Sequence, residues 1–372
     1  MHRWWSIALV ALAGCGSSSA PVPATVEQLG AALFQDPNLS SPAGQACTDC
    51  HDPGFAFADP EGDRTSVGVV QGRVGPRNAP SIFYATTIPP LHLDAQRQPV
   101  GGQQWDGRAK DFAEQAALPL LNPLEMNNPD KATVVASVRA SSYAPAFRKL
   151  FGKDALDDVD RAFGHITAAL AAFQSAPDFA PYASKYDRYL AGAAQLSEAE
   201  QRGLEIFEDP ARGNCASCHP SRPSSDGKPP MFTTHGYANL GLPKFTNSNY
   251  YHLPPDLNPD GAAYIDRGVG TTLGDATHDG KFRIPTLRNV ERTPPYGHNG
   301  YFIRLDEMVD FHATRDRGSR IPYCKRATRD APCAWPAPEI PATIDKRVGD
   351  LPLTAQDLRD LVAFLGTLSD EP

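Results

Sequence analysis

Two short stretches decide the fold: ACTDCHDP (46–53) and NCASCHPS (214–221). Each contains C-x-x-C-H. At that spacing two thiols reach the two vinyl groups of one porphyrin, and the histidine that follows falls beneath the iron as proximal ligand. Cys47, Cys50 and His51 form one such set; Cys215, Cys218 and His219 form the other. Zinc is the competing reading. A zinc ribbon brings its cysteine pairs within about 15–20 residues of each other. Here the pairs lie much farther apart, and each carries its own histidine. The motifs predict two covalently bound haem c groups, with His51 and His219 as axial ligands.

Working outward, each motif sits in a repeated setting. EQLGAALFQDP (27–37) precedes the first and EQRGLEIFEDP (200–210) the second, both with apolar residues at helical spacing. FGHITAALAAFQ (163–174) closes the first unit and LRDLVAFLGTL (358–368) the second. A first and a last helix packed around a covalently held haem is the cytochrome c plan. The expected fold is mainly α: two cytochrome c-like domains, each around one c-type haem, with long loops. The expected spans are 26–185 for an N-terminal haem domain and 186–372 for a C-terminal haem domain. The 36 prolines and 30 glycines agree with many loops between modest helices. A net charge of -8 argues against nucleic acid as a partner.

The N-terminus reads as an address. MHRWWSIALVALAGC (1–15) has a basic start, a short apolar core and small residues before Cys15. LAGC (12–15) resembles a bacterial lipobox, which implies a signal peptide over 1–14, lipid on Cys15 and a flexible tether over 15–25. An ordinary secretory signal is the alternative. Gly16 after the cysteine favours the outer membrane, so the expected location is periplasmic, with the lipid anchor as the sole membrane contact. In an oxidising compartment Cys324 and Cys333 are expected to form a disulfide closing a short loop.

GPRNAPS (75–81), QQWDGRAKDFAEQAALPLLNPLEMNN (103–128), KFRIPTLRNVERTPPYGHNGY (281–301) and LVAFLGTLS (361–369) resemble the bacterial dihaem cytochrome c peroxidases and the MauG-type enzymes of the same superfamily. The resemblance covers nearly all of the mature chain. It implies that the N-terminal haem reacts with hydrogen peroxide and the C-terminal haem relays electrons, with Trp105 between them. It places Glu125 over the open iron face as general base and then general acid in O–O cleavage, with Gln115 nearby orienting water or peroxide. It further implies a calcium ion between the domains, held by the Asn78 side chain and the carbonyls of Thr293 and Pro295.

The chain departs from the peroxidase pattern twice. Many relatives carry a histidine in the loop before GPRNAP that caps the first iron; here the loop reads TSVGVVQGRV (65–74), and neither Val69 nor Val70 binds iron. The first haem is expected to be open at rest, with His92 the nearest unassigned histidine. The sixth ligand of the second haem is methionine or tyrosine in relatives, some fourteen residues past the histidine of PYGHNG; here that count from His298 reaches His312. His312 is the expected sixth ligand, and His298 the alternative.

Three functions stay open on the sequence. The chain is a peroxidase fed by a small cytochrome c or cupredoxin, a peroxide-dependent oxidase of a Trp or Tyr in an exported partner protein, or a non-catalytic dihaem electron carrier. Glu125 and the missing cap argue against the last.

Overall fold

A computed structural model describes residues 22–318 and 334–371. Cys15, Cys324 and Cys333, which carry the lipid and disulfide expectations, lie outside the described residues. Ten α-helices occur among the described residues: α1 (Val26–Phe34), α2 (Phe112–Leu121), α3 (Lys131–Ala140), α4 (Ala144–Phe151), α5 (Val159–Gln174), α6 (Lys185–Leu190), α7 (Glu198–Glu208), α8 (Val269–Leu273), α9 (Leu305–Thr314) and α10 (Ala355–Gly366). Among the described residues, sheet is limited to two antiparallel ribbons. In one, β1 (His92–Leu93) pairs with β2 (Pro99–Val100); in the other, β3 (Tyr237–Ala238) pairs with β4 (Phe282–Arg283). No described helix is long and apolar enough to cross a membrane.

The helices start where their caps allow. Thr25 accepts from the Gln28 amide at the head of α1, and Asp158 from the Arg161 amide at the head of α5. Capping boxes, Ser197 with Glu200 and Thr354 with Asp357, open α7 and α10.

The first core packs α1 on α5: Leu29, Leu33 and Phe34 meet Ile166, Ala169 and Leu170, with Val134 and Val138 of α3 beneath. The second packs α7 on α10: Leu204, Ile206 and Phe207 meet Leu361, Phe364 and Leu365. Phe179 belongs to the first core and Tyr186 of α6 to the second. The repeat in the sequence is thus a repeat in space. Its hinge point is one glycine per pair. A Cβ on Gly30 would lie 2.0 Å from the Ala169 carbonyl oxygen, and one on Gly203 would lie 2.0 Å from the Asp360 carbonyl oxygen. Any side chain there would hold the helices apart. Beside that contact the pairs differ, since Arg202 of α7 reaches Asp360 of α10 at 2.8 Å, while the matching residue of α1 is the buried Leu29.

Polar contacts join the two halves. Arg77 lies 2.8 Å from Asp106 and 2.7 Å from Asp266, both carboxylates buried and Arg77 largely covered. Arg64 donates to the carbonyls of Gly300 and Tyr301. Tyr84 donates to Asp370 at 2.9 and 2.8 Å.

Candidate functional site

Three histidines share one arrangement. His51 donates Nδ1–H to the Phe57 carbonyl at 3.0 Å, His219 to that of Phe232 at 2.7 Å, and His312 to that of Met308 at 2.8 Å. A backbone acceptor on Nδ1 fixes the tautomer and leaves the Nε2 lone pair for a metal. Burial holds all three imidazoles below their usual pKa, His219 down to about 4, so they are neutral at neutral pH. The Cys47, Cys50 and Cys215 thiols are pushed up to about 12 by burial, and Cys218 is raised too. They are quiet thiols rather than reactive thiolates.

His312 stands on α9 in a stripe with Leu305, Met308 and Val309, which is helical i, i+3, i+4, i+7 spacing. All four line one largely apolar cavity, together with Cys215, Cys218 and His219. The two imidazoles are close enough that charge on His312 would depress the His219 pKa. Phe311 and Ala313, on the other faces of α9, are buried in neighbouring clusters and seat the helix. His298 lines the same cavity, but its ring stacks on Phe282 at 3.4 Å, and its buried Nε2 has no hydrogen-bond partner among the described residues.

At the other motif, Glu125 follows the α2 turn. Asn122 Nδ2 donates to its Oε1 at 2.7 Å. Burial outweighs that bond and the Arg108 charge, and it raises the carboxyl above its ordinary value. The carboxylate is near enough to Cys47 and Cys50 to raise both thiols. The Val69 amide donates to the Glu125 carbonyl at 2.9 Å, and the close approach at Gly68 seats that loop on Leu124. The valine loop and Glu125 are one unit. Gln115 is half-buried on α2, with no hydrogen bond joining it to Glu125 among the described residues. His92 is exposed on its ribbon.

Trp105 is 9 % exposed. Its indole donates to the Asn78 carbonyl at 3.1 Å, its own carbonyl accepts from Arg283 at 2.8 Å, and it lines the cavity. Asn78 Nδ2 donates to the Pro295 carbonyl at 2.7 Å, while its Oδ1 is buried without a partner among the described residues. An orphaned amide oxygen beside carbonyl oxygens suits a hard cation, and Thr293 and Pro295 line the same cavity. Among the described residues no three His, Cys, Asp or Glu groups gather as a metal site.

The sequence reading missed two cations of this cavity. Arg283 is 7 % exposed and forms no ion pair among the described residues. Arg347 touches Cys218 and pairs with Asp345. Nothing in KFRIP (281–285) separates a buried arginine from a surface one.

Two packed helix pairs, each beside a C-x-x-C-H motif whose buried imidazole is held at Nδ1, fit a two-haem cytochrome-like protein. The comparisons agree. A family model described as di-haem cytochrome c peroxidase matches residues 24–195. The methylamine utilization protein MauG of Paracoccus denitrificans is 38% identical over 97% of this chain and 93% of its own. The cytochrome c551 peroxidase of Nitrosomonas europaea is 30% identical over 78% of this chain and 73% of its own. The crystal structure of the diheme peroxidase BthA from Burkholderia thailandensis superposes with a TM-score of 0.80 at 31% identity, covering 94% of this chain and 87% of the other. The chain belongs to the di-haem cytochrome c peroxidase family, which includes MauG, a family of oxidoreductases acting on peroxide.

Proposed function

We propose that the chain activates hydrogen peroxide at the His51 site and relays electrons through the His219 site. Cys47 and Cys50 would hold one haem and Cys215 and Cys218 the other, as thioethers. His51 and His219 would bind the irons, and His312 would be the sixth ligand of the second. Haem supplies redox and Lewis-acid chemistry when bound; the residues supply the rest. Glu125 carries the reading, because a fixed carboxyl with a raised pKa can take a proton from one peroxide oxygen and return it to the other. Val69 and Val70 leave the site uncapped. Trp105 would bridge the two sites, Gln115 would orient water or peroxide, and Arg283 and Arg347 would neutralise haem carboxylates. Asn78, Thr293 and Pro295 would hold Ca2+ between the domains. The chain would work in the periplasm, tethered by lipid on Cys15, with electrons from a small cytochrome c or cupredoxin.

A second reading is oxidation of a Trp or Tyr in an exported partner protein. The 38% identity to a MauG over 97% of the chain favours it, as does the uncapped first site. Steady turnover of reduced small cytochrome c would favour the donor-fed peroxidase.

The test is peroxide added to the all-ferric protein, followed by absorbance and EPR. At rest one high-spin and one low-spin haem are expected, and His312→Gly should convert the low-spin signal alone. Peroxide should change the haem spectrum without prior reduction. A ferric protein inert to peroxide and active only when half-reduced would overturn the open-site reading.

A further inference from the structure

The two sites are joined by a second route besides Trp105, and it passes through a tyrosine with its own proton acceptor. Tyr84 is 1 % exposed, and its phenol donates to both Asp370 oxygens, at 2.9 and 2.8 Å. Asp370 is oriented by the Ala183 amide at 2.9 Å and by Asn289 Nδ2 at 2.8 Å. On one side the Tyr84 ring lies 6.3 Å from Phe83, which lies 5.1 Å from Phe57, the residue whose carbonyl holds His51. On the other side Tyr84 lines the cavity of His219 and His312. The Arg288 guanidinium lies 4.9 Å from the Tyr84 ring and 5.9 Å from that of Phe232, whose carbonyl holds His219. Asp187 pairs with Arg288 through two bonds of 2.9 and 2.8 Å, so the cation adds no unbalanced charge.

A phenol losing an electron becomes strongly acidic, so a buried tyrosine is readily oxidised only where a base already accepts its proton. We propose that Tyr84 is a proton-coupled redox relay between the two haem sites, with Asp370 as its proton acceptor. The proposal rests on peroxide being the oxidant at the His51 site. Peroxide takes two electrons, and two protons from solvent, to give two waters. One of those electrons leaves Tyr84 toward the His51 site. The phenolic O–H bond breaks, its proton passes to an Asp370 oxygen, and a neutral phenoxyl radical remains. The other electron would be supplied by the bound haem groups. An electron from the His219 side then refills Tyr84, and Asp370 returns the proton.

The experiment is rapid-freeze EPR of the two-haem protein after mixing with peroxide, with absorbance recorded in parallel. Wild type should give a tyrosyl radical whose signal narrows when tyrosine is ring-deuterated. Tyr84→Phe removes one oxygen, and should abolish that radical while the haem absorbance still responds. Asp370→Asn keeps an acceptor of similar shape but no base, and should also lose the radical. Resting haem spectra matching wild type establish that both variants fold. An undiminished radical in either variant overturns the proposal. So does a wild type whose haems respond without any tyrosyl radical. Haems that fail to respond overturn the peroxide reading and the relay with it, and the absorbance record tells the two failures apart.

Discussion

Glu125 and His312 are single side chains whose chemistry comes from what holds them. Glu125 has a carboxyl raised above 4.5 by burial and pinned by Asn122. As a base it works only when ionised, so peroxide activation should rise with pH through an apparent pKa above that of an ordinary glutamate. Glu125→Gln should slow the reaction by about 10²–10⁴-fold and remove this acid limb, with both haems still attached. A stopped-flow pH profile checks both. The C-x-x-C-H residues were legible from spacing alone. His312 was legible only by counting from a family motif, because a histidine ending an amphipathic run looks like any other. Arg283 and the unpartnered Oδ1 of Asn78 were not legible, since each depends on chain segments meeting across long separations; the Asn122 bond spans three residues and depends on how the chain turns after α2.

At the scale of elements, the paired helices were legible as a repeat, and the reason for its glycine was not. Sequence periodicity reports an apolar face but not the distance between two axes. With a Cβ meeting a backbone carbonyl at 2.0 Å, Gly30→Ala and Gly203→Ala should each destabilise their own domain. Overpacking of this kind costs about 1–3 kcal/mol, more than the ~1 kcal/mol of helix propensity gained. Gly164, exposed on α5 with nothing within 4 Å of a Cβ, is the control. Gly164→Ala should stabilise by up to about 1 kcal/mol. Denaturant midpoints of the three variants test the contrast.

The whole molecule depends on how its halves meet, and here the sequence was least informative. Arg77, in a proline-rich loop, gave no sign of joining Asp106 to Asp266. The Arg77 charge holds Asp266 down to about 2 from 3.8 against the penalty of burial. The native state therefore binds this proton more weakly than the unfolded chain does. The stabilisation is whole above pH 3.8 and is lost as pH falls through about 2. Arg77→Met strands buried carboxylates and should cost about 3–5 kcal/mol. Thermal melts against pH should show the wild type approaching the variant at the acid end. The repeated helix pairs also raise a hazard of folding fidelity. Near-copies in one chain invite α1 to seat on α10 and α7 on α5 during synthesis. Arg202 and Asp360 act as a password against this. With α1 in the place of α7, Asp360 would face Leu29, a carboxylate without its cation. With α7 on α5, Arg202 would meet the alanine-lined ridge at Ala169. Each glycine meets a backbone carbonyl in its own pair, and only the α7–α10 pair carries an ion pair beside that contact.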